Sequence, residues 1–305
     1  MLLALSGAIS QSILWGVMVL GVFITYKMLD IADLTVDGSF ALGGCVAAVC
    51  SVGMGLDPLV AVLLGTLAGV VAGAVTGLLH TLFDIPAILA GILTQIALWS
   101  VNLRVMGKSN TPLLNVDTVF TRTASLLHIS RDNATLVVGI IVAVLSIVFL
   151  YWFFGTEIGS AMRATGQNED MCRALGIDVR ITKLFALMLS NGFVGLSGAL
   201  VCQSQKYADI GMGTGAIVIG LAAIVIGEVL GRLAPNKLQA FGSRLTSAVI
   251  GSVVYFLIRA IVLQMGMDAN DMKLLSAAIV ALALVVPVVL ERNQQHRMYA
   301  KGGEC

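Results

Sequence analysis

Charge is what this chain has least of. Only 11% of its 305 residues are Asp, Glu, Lys or Arg, 58% are hydrophobic, and the mean hydropathy is +0.97. A soluble domain carries about 25% charged and roughly 45–50% apolar residues. So little polar side chain cannot cover a water-exposed surface, and the bilayer must be the solvent. A formal net charge of +1 gives no electrostatic ground for binding nucleic acid. Cysteine is sparse too. Cys45, Cys50, Cys172, Cys202 and Cys305 show no CxxC or metal-ligand spacing and read as small buried apolar side chains. No GxxxxGK[ST] stretch occurs, so ATP is not bound by that device. HExxH, GxSxG and paired carboxylates within the apolar runs are absent as well, which argues against an intramembrane enzyme. No Lys or Arg precedes Lys27, so the first apolar run lacks the basic leader of a secretory signal and is expected to remain as a span.

Long apolar runs are what the chain has in abundance. Nine are near the roughly 20 residues that a membrane helix needs: 9–28, 38–54, 58–82, 86–106, 134–154, 182–204, 212–230, 243–264 and 274–290. They are continuous, whereas the strands of a membrane barrel alternate in short segments. The expected fold class is an all-α polytopic membrane protein of about nine spans. Residues 1–290 form the transmembrane domain, with a cytoplasmic loop at 155–183, and 291–305 form a short cytoplasmic tail. Lys and Arg collect on the cytoplasmic side, and 155–183 holds Arg163, Arg173, Arg180 and Lys183. With that loop inside and the spans alternating, eleven basic residues fall inside and six outside, with Arg259 within a span. The N-terminus is then outside and the C-terminus cytoplasmic.

The runs break twice in the same manner. Residues 32–49, "ADLTVDGSFALGGCVAAV", align without a gap on 208–225, "ADIGMGTGAIVIGLAAIV", with Ala32/Ala208, Asp33/Asp209, Gly44/Gly220, Ala47/Ala223 and Val49/Val225 identical. The first copy enters from the inside and the second from the outside. Spans 1–4 and 6–9 are therefore expected to form an inverted repeat, a transporter design in which substrate binds between the halves. The broken-helix residues would be Asp33, Asp37, Gly38 and Ser39 in one copy and Asp209, Gly211 and Gly213 in the other. Asp37 is placed to cap a helix starting at Gly38. A helix over 38–54 would be only about 25 Å long. An Asp at mid-membrane costs about 2.5–3.5 kcal/mol, so Asp33 and Asp37 are expected near the interface or facing a wet cavity. The alternative is a plain cytoplasmic loop between two full spans.

In span 3, Gly65, Gly69, Gly73 and Gly77 make one bare ridge suited to close helix approach. In span 4, Gln95, Trp99 and Asn102 sit at i, i+4 and i+7. They read either as a wall of the substrate path, with amides to hydrogen-bond and an indole to stack, or as interhelical glue worth about 0.6 kcal/mol per contact. Asn191, beside Ser190 in span 6, poses the same choice. Arg259, one turn from Tyr255, is expected to snorkel outward. Glu228 is expected to meet Arg232.

Within 155–183, Asn168 suits an N-cap, Glu169 and Asp170 a first turn, Arg173 a last turn and Gly176 a helix stop. Met171, Ala174 and Leu175 make a small apolar face. Two turns are marginal alone in water, so this helix needs a docking partner. Its acidic start disfavours anionic lipid and favours protein. The stretch "RATGQNEDMCRALGIDVRITKLFALMLSNGFVGLSGAL" resembles the coupling-helix region of ABC importer permeases of the branched-chain amino-acid and ribose type, through Gly166, Asn168, Ala174, Gly176, Ile177 and "GLSGAL". "ADLTVDGSFALGG" is similar to that family's break, with Asp33, Leu34, Val36 and Ser39 corresponding. "DIPAILAGILTQIALWSVNLRVMGKSN" points to the branch attributed to tryptophan or tyrosine transport or left without a substrate. The likeness covers about residues 8–290. The chain departs from the ribose type in lacking an extra first span and in having Asp37–Gly38 where glycine stands.

The resemblance implies a type II importer-like permease that works as a homodimer. Two cytosolic ATP-binding subunits would dock on Gly166, Asn168, Met171, Arg173, Ala174, Leu175, Gly176 and Ile177. An extracellular solute-binding lipoprotein would deliver a small molecule, an aromatic amino acid in the narrower branch. The chain itself would carry no cofactor and catalyse nothing, ATP and magnesium belonging to the partner. The rival reading is an ion-coupled secondary transporter. His80, Glu228 and Arg259 lie toward span ends and make a poor proton relay, but a sodium site of broken-helix carbonyls stays open. A channel would leave the capped helix unexplained. The orientation predicts that Asp117→Cys reacts with impermeant maleimide on intact cells and Asp170→Cys only after permeabilisation; the reverse pattern would invert the topology.

Overall fold

The computed structural model describes residues 2–114, 116–233, 241–266, 271, 274–282 and 285. The apolar runs become helices, and side-chain oxygens mark several of their starts. The first is α1 (Leu2–Phe23), prolonged by a π-helical turn at Ile24–Met28. A bent stretch leads into α2 (Val36–Val52). Asp57 accepts from Leu59 N at 3.0 Å and Pro58 opens α3 (Pro58–Thr81). Helix α4 (Ala87–Met106) ends at Gly107, whose φ of +69° suits a residue without Cβ. A strand β1 (Asn110–Pro112) precedes α5 (Val119–Leu127), which Thr118 and Thr121 start as a capping box. Then come α6 (Arg131–Phe154), α7 (Glu157–Gln167), α8 (Glu169–Ala174) and α9 (Val179–Gln205). Strand β2 (Tyr207–Asp209), α10 (Ala216–Leu233) and α11 (Phe241–Gln264) follow, and residues 274–282 are helical.

Helices α1 and α9 form the centre, and the largest apolar cluster runs through both. Helix α3 lies along α9, and α11 along α1. In the same sense α2 packs on α3 and α10 on α11. Helices α4 and α6 are peripheral, with apolar side chains such as Leu93, Ile96, Leu145 and Val148 turned outward. The glycine ridge of α3 explains its close approach to α9. A Cβ at Gly69 would stand 2.3 Å from the Asn191 carbonyl oxygen, and one at Gly73 2.3 Å from that of Leu187. Only a bare backbone fits there.

Among the described residues six helices are long and apolar enough to cross a membrane, and two apolar helices, α2 and Ala216–Gly231 of α10, are shorter. Of the ninth expected run, 274–290, residues 274–282 are helical; the rest of it apart from 285, and the tail 291–305, lie outside the described residues. The described chain is mostly helical, with one small addition to the expected helices: β1 and β2 pair antiparallel, with Asn110 opposite Asp209 and Pro112 opposite Tyr207. Three residues per strand give no apolar period to read. The loop 155–183 holds two helices where one was expected, and α5 was not expected at all. The carboxylate of Glu228 meets Lys27 at 2.8 Å, a contact that no local spacing announces; the side chain of Arg232 lies outside the described ones. Arg259 sits 5.8 Å from the Phe256 ring centroid, and Tyr255 donates to Ser276 Oγ or accepts from it at 2.9 Å.

The ridge makes a sharp expectation. Gly73→Ala drives a methyl group into a backbone carbonyl and should destabilise the fold by about 1–3 kcal/mol, lowering Tm by several degrees. Gly7→Ala meets nothing within 4 Å and should leave Tm unchanged or slightly higher. Thermal unfolding of the detergent-solubilised variants makes the comparison.

Candidate functional site

The two sequence breaks meet at the starts of α2 and α10, the first of them against the middle of α9. In the first, Asp33 is 1% exposed. Its Oδ1 accepts from Thr35 N at 2.9 Å and its Oδ2 from Asn191 Nδ2 at 2.7 Å. Asn191 Nδ2 also donates to Leu187 O at 3.0 Å, and Asn191 Oδ1 accepts from Ser39 Oγ at 2.6 Å. Thr35 and Thr76 share a hydroxyl contact of 2.7 Å. Of the two expected settings, a wet cavity is not the one found: Asp33 is enclosed by protein. Internal donors replace water around its carboxylate, which is how a buried polar group is tolerated.

Asp37 is also corrected. Helix α2 begins at Val36, before Gly38, and Asp37 sits in its first turn. Its carboxylate reaches across to the start of α10, accepting from Gly215 N and Ile217 N, each at 2.9 Å. It caps the other short helix, not its own. An anion suits the positive end of that helix. The second break repeats the geometry of the first: Asp209 Oδ1 accepts from Gly211 N at 2.7 Å, two residues on, as Asp33 does from Thr35. The register that matches Asp33 with Asp209 matches Asp37 with Gly213, and those two are in contact. A Cβ on Gly213 would fall 2.0 Å from Asp37 O.

Helix α4 flanks this crossing. A Cβ on Gly38 would meet Leu98 at 2.9 Å and the Gln95 Cα at 3.2 Å. Asn102 is 1% exposed and donates to Gly38 O at 3.4 Å, while its Oδ1 has no hydrogen-bond partner. Trp99 is 53% exposed, with its Cη2 4.0 Å from the Cβ position of Gly211. Gln95 is half-buried. The three residues thus do not share one environment: Trp99 lies at the second break, the Gln95 backbone and the Asn102 side chain against the first. Asn191 lies inside the protein with both ends of its amide engaged.

At one end of the bundle, Asn168 Oδ1 accepts from Met171 N at 2.9 Å and starts α8. Gly176, at φ +82°, ends it: Ile177 N donates to Cys172 O and Gly176 N to Arg173 O, both at 3.0 Å. Cys172 is buried, whereas Met171 and Leu175 are 61% and 69% exposed, and Ala174 is exposed beside them. Glu169 holds Lys183 at 2.5 Å and Arg173 at 3.6 Å. A groove of about 600 Å³ opens beside α8, lined by His80, Asp84, Ile177 and Arg180, with Arg180 and Asp84 3.6 Å apart. Gly166, in α7, touches the end of α1's π-helical turn so tightly that a Cβ would lie 1.7 Å from Met28 O.

At the other end, buried Gln203 accepts from Val119 N and donates to Pro58 O, both at 3.0 Å. It ties α9 to α5 and α3. Arg122 pairs with Asp57, and the guanidinium holds that carboxyl below the usual carboxylate range. Sequence reasoning missed Gln203; a pair of Gln residues, Gln203 and Gln205, in the last turn of an apolar span was the available signal. The Gly166–Met28 contact had none.

A bundle with two short helices meeting end to end between longer ones, and a capped amphipathic helix exposed at one face, has the form of a transport permease. The chain belongs to the family described as branched-chain amino acid transport system / permease component, whose model matches residues 4–287. It is 37% identical over 279 residues to the tyrosine transport system permease protein of Clostridioides difficile (strain R20291), covering 90% of each chain. It is 27% identical over 257 residues to the ribose import permease protein RbsC of Escherichia coli (strain K12), covering 83% of this chain and 76% of that one. A solved structure, PsaBC from Streptococcus pneumoniae in complex with Fab, aligns at a TM-score of 0.48 and 17% identity over 92% of this chain and 89% of its own.

The buried network should behave as one unit. Asn191→Leu strips Asp33 of a donor and should cost about 2–3 kcal/mol, as a lost bond to a charged group does. Asp33→Asn in that background should recover part of the loss, because it removes the unmatched charge. Unfolding free energies of the single and double variants check this; simple addition of two losses would contradict it.

Proposed function

We propose that this chain is the membrane-spanning subunit of a binding-protein-dependent ABC importer for an aromatic amino acid. The observation that carries the reading is the exposed apolar face of α8, Met171, Ala174 and Leu175, on a helix capped at both ends and joined through Gly166 to α1. Such a face needs a partner, and a two-turn helix fixed by its caps transmits a push without unwinding. Two ATP-binding subunits, supplying ATP and magnesium, would dock there and in the groove beside it, on a homodimer of this chain in the inner membrane. Lys183 and Arg173 hold Glu169 and keep α8 set against α9 during the push. The surface carrying Arg122, α5 and the β1–β2 ribbon would receive the extracellular solute-binding lipoprotein, with the N-terminus on that side.

Two features support an inverted repeat of α1–α4 against α9 onward: the matched turns at Asp33 and Asp209, and the paired packing of α3 on α9 and α11 on α1. Helices α2 and α10 would then be half-helices whose N-termini meet at mid-membrane, and rocking of one half against the other would open the path alternately. On this reading Trp99 stacks against an aromatic cargo at the second break, Gln95 and Asn102 offer amides from the same helix, and Asn191 serves the path by pinning Asp33 and Ser39. The likeness to a tyrosine permease supports the aromatic choice.

Reconstitution with an ATP-binding subunit and a solute-binding protein of this transporter class should give uptake of labelled tyrosine that requires ATP. Leu175→Asp or Gly176→Val should lower uptake at least tenfold while insertion and yield stay normal. Trp99→Ala should weaken uptake of tyrosine more than that of a small aliphatic amino acid. Tyrosine uptake driven by an ion gradient without the ATPase would overturn the reading in favour of a secondary transporter.

A further inference from the structure

We propose that the cleft between the π-helical turn, α7 and the start of α11 binds the phosphodiester head group of an anionic phospholipid from the leaflet on the α8 side. The cleft measures about 320 Å³ and brings together Lys27, Arg163 and Arg244, one from each element, with Gly166 and Phe241 in its wall. Glu228 neutralises Lys27 at 2.8 Å. The two guanidinium groups are matched differently. Arg163 donates to the Phe154 carbonyl at 2.8 Å and lies 5.6 Å from the Phe241 ring centroid, contacts that orient it without cancelling its charge. Arg244 is exposed. Among the described residues no carboxylate lies within salt-bridge distance of either. The cleft therefore carries surplus positive charge.

Its depth points to lipid. Tyr151 and Trp152, in the last turn of α6, are 61% and 65% exposed. Tyr151 borders the cleft's rim: a Cβ at Gly242 would lie 3.3 Å from its ring. Exposed aromatic rings at the end of an apolar helix mark head-group level. Further along α6 the outward face is apolar, with Ile141, Leu145 and Val148 more than half exposed. That face suits acyl chains directly beneath a phosphate held by two arginines. Basic pockets between membrane helices on the cytoplasmic side take anionic head groups in this way. Inorganic phosphate presents the same oxygens but has nothing to lay along α6. The position has a consequence: Gly166 belongs both to the cleft wall and to the joint with Met28, so a bound head group would brace the contact between α7 and α1.

Fluorescence offers a test, because the chain has three tryptophans and Trp15 is buried. In full-length Trp99→Phe protein in nanodiscs, Trp152 reports the cleft end. Brominated phosphatidylglycerol should quench it at about fivefold lower mole fraction than brominated phosphatidylcholine, the preference that one cation contributes near an anionic surface. Unlabelled phosphatidylglycerol should reverse the quenching and inorganic phosphate should not. Arg244→Gln, an exposed position, should lower the preference at least twofold, and Arg163→Gln should lower it as well. Equal quenching by both lipids, displacement by inorganic phosphate, or a preference unchanged in Arg244→Gln would each overturn the assignment.

Discussion

A carboxylate enclosed by helices must be matched by donors, and the fold is organised around that requirement at Asp33. Its two oxygens take a backbone N–H two residues away and the amide of Asn191, whose other end takes Ser39. One side chain on α9 thereby holds the bend before α2 and the first turn of α2 together. The closeness this needs comes from α3, whose glycines let it press against α9 at the level of Leu187 and Asn191. Without that ridge α9 could not stand where Asn191 reaches Asp33. Without the network the bend would expose backbone groups in an apolar setting, where each unsatisfied group is costly.

The second organising contact is electrostatic. Two short helices start beside each other, and each presents unpaired N–H groups and the positive end of its dipole. Asp37 belongs to one helix and satisfies the other, accepting from Gly215 and Ile217. Its contact with Gly213 keeps the two starts at backbone distance. Such a joint transmits displacement in both directions, since neither helix start can move without breaking the carboxylate contacts. At the bundle end caps hold α7 and α8, and Gly166 of α7 lies against Met28, so α8 is linked to the π-helical turn through α7.

Much of the architecture was legible in the chain. Hydrophobic runs located the helices, because in a bilayer every backbone group must be satisfied within a helix and the run length is set by membrane thickness. The caps at Asn168 and Gly176 were legible because capping is a local interaction between neighbours in sequence. The matched breaks were visible as two similar strings. Illegible were the contacts between residues far apart: Asp33 with Asn191, Asp37 with the start of α10, Lys27 with Glu228, and Gln203 with both Val119 and Pro58. Each of these joins polar groups whose spacing in sequence carries no period. The face of α4 shows the same limit. Helical spacing put Gln95, Trp99 and Asn102 on one side, but what each meets depends on where α2 and the second break lie.

By itself the sequence determined that this is a helical membrane protein with two interrupted regions and a short capped helix at its surface, because composition, run length and capping act over a few residues. Family membership follows from the same local patterns. Only the tertiary structure decided the partners of the buried carboxylates, since an Asp among apolar residues can be solvated or enclosed, and enclosure depends on which donors other helices bring within about 3 Å. It likewise decided that Asp37 serves the opposite helix, because a cap is a matter of which N–H groups are nearest, and here the nearest lie in the other half of the chain.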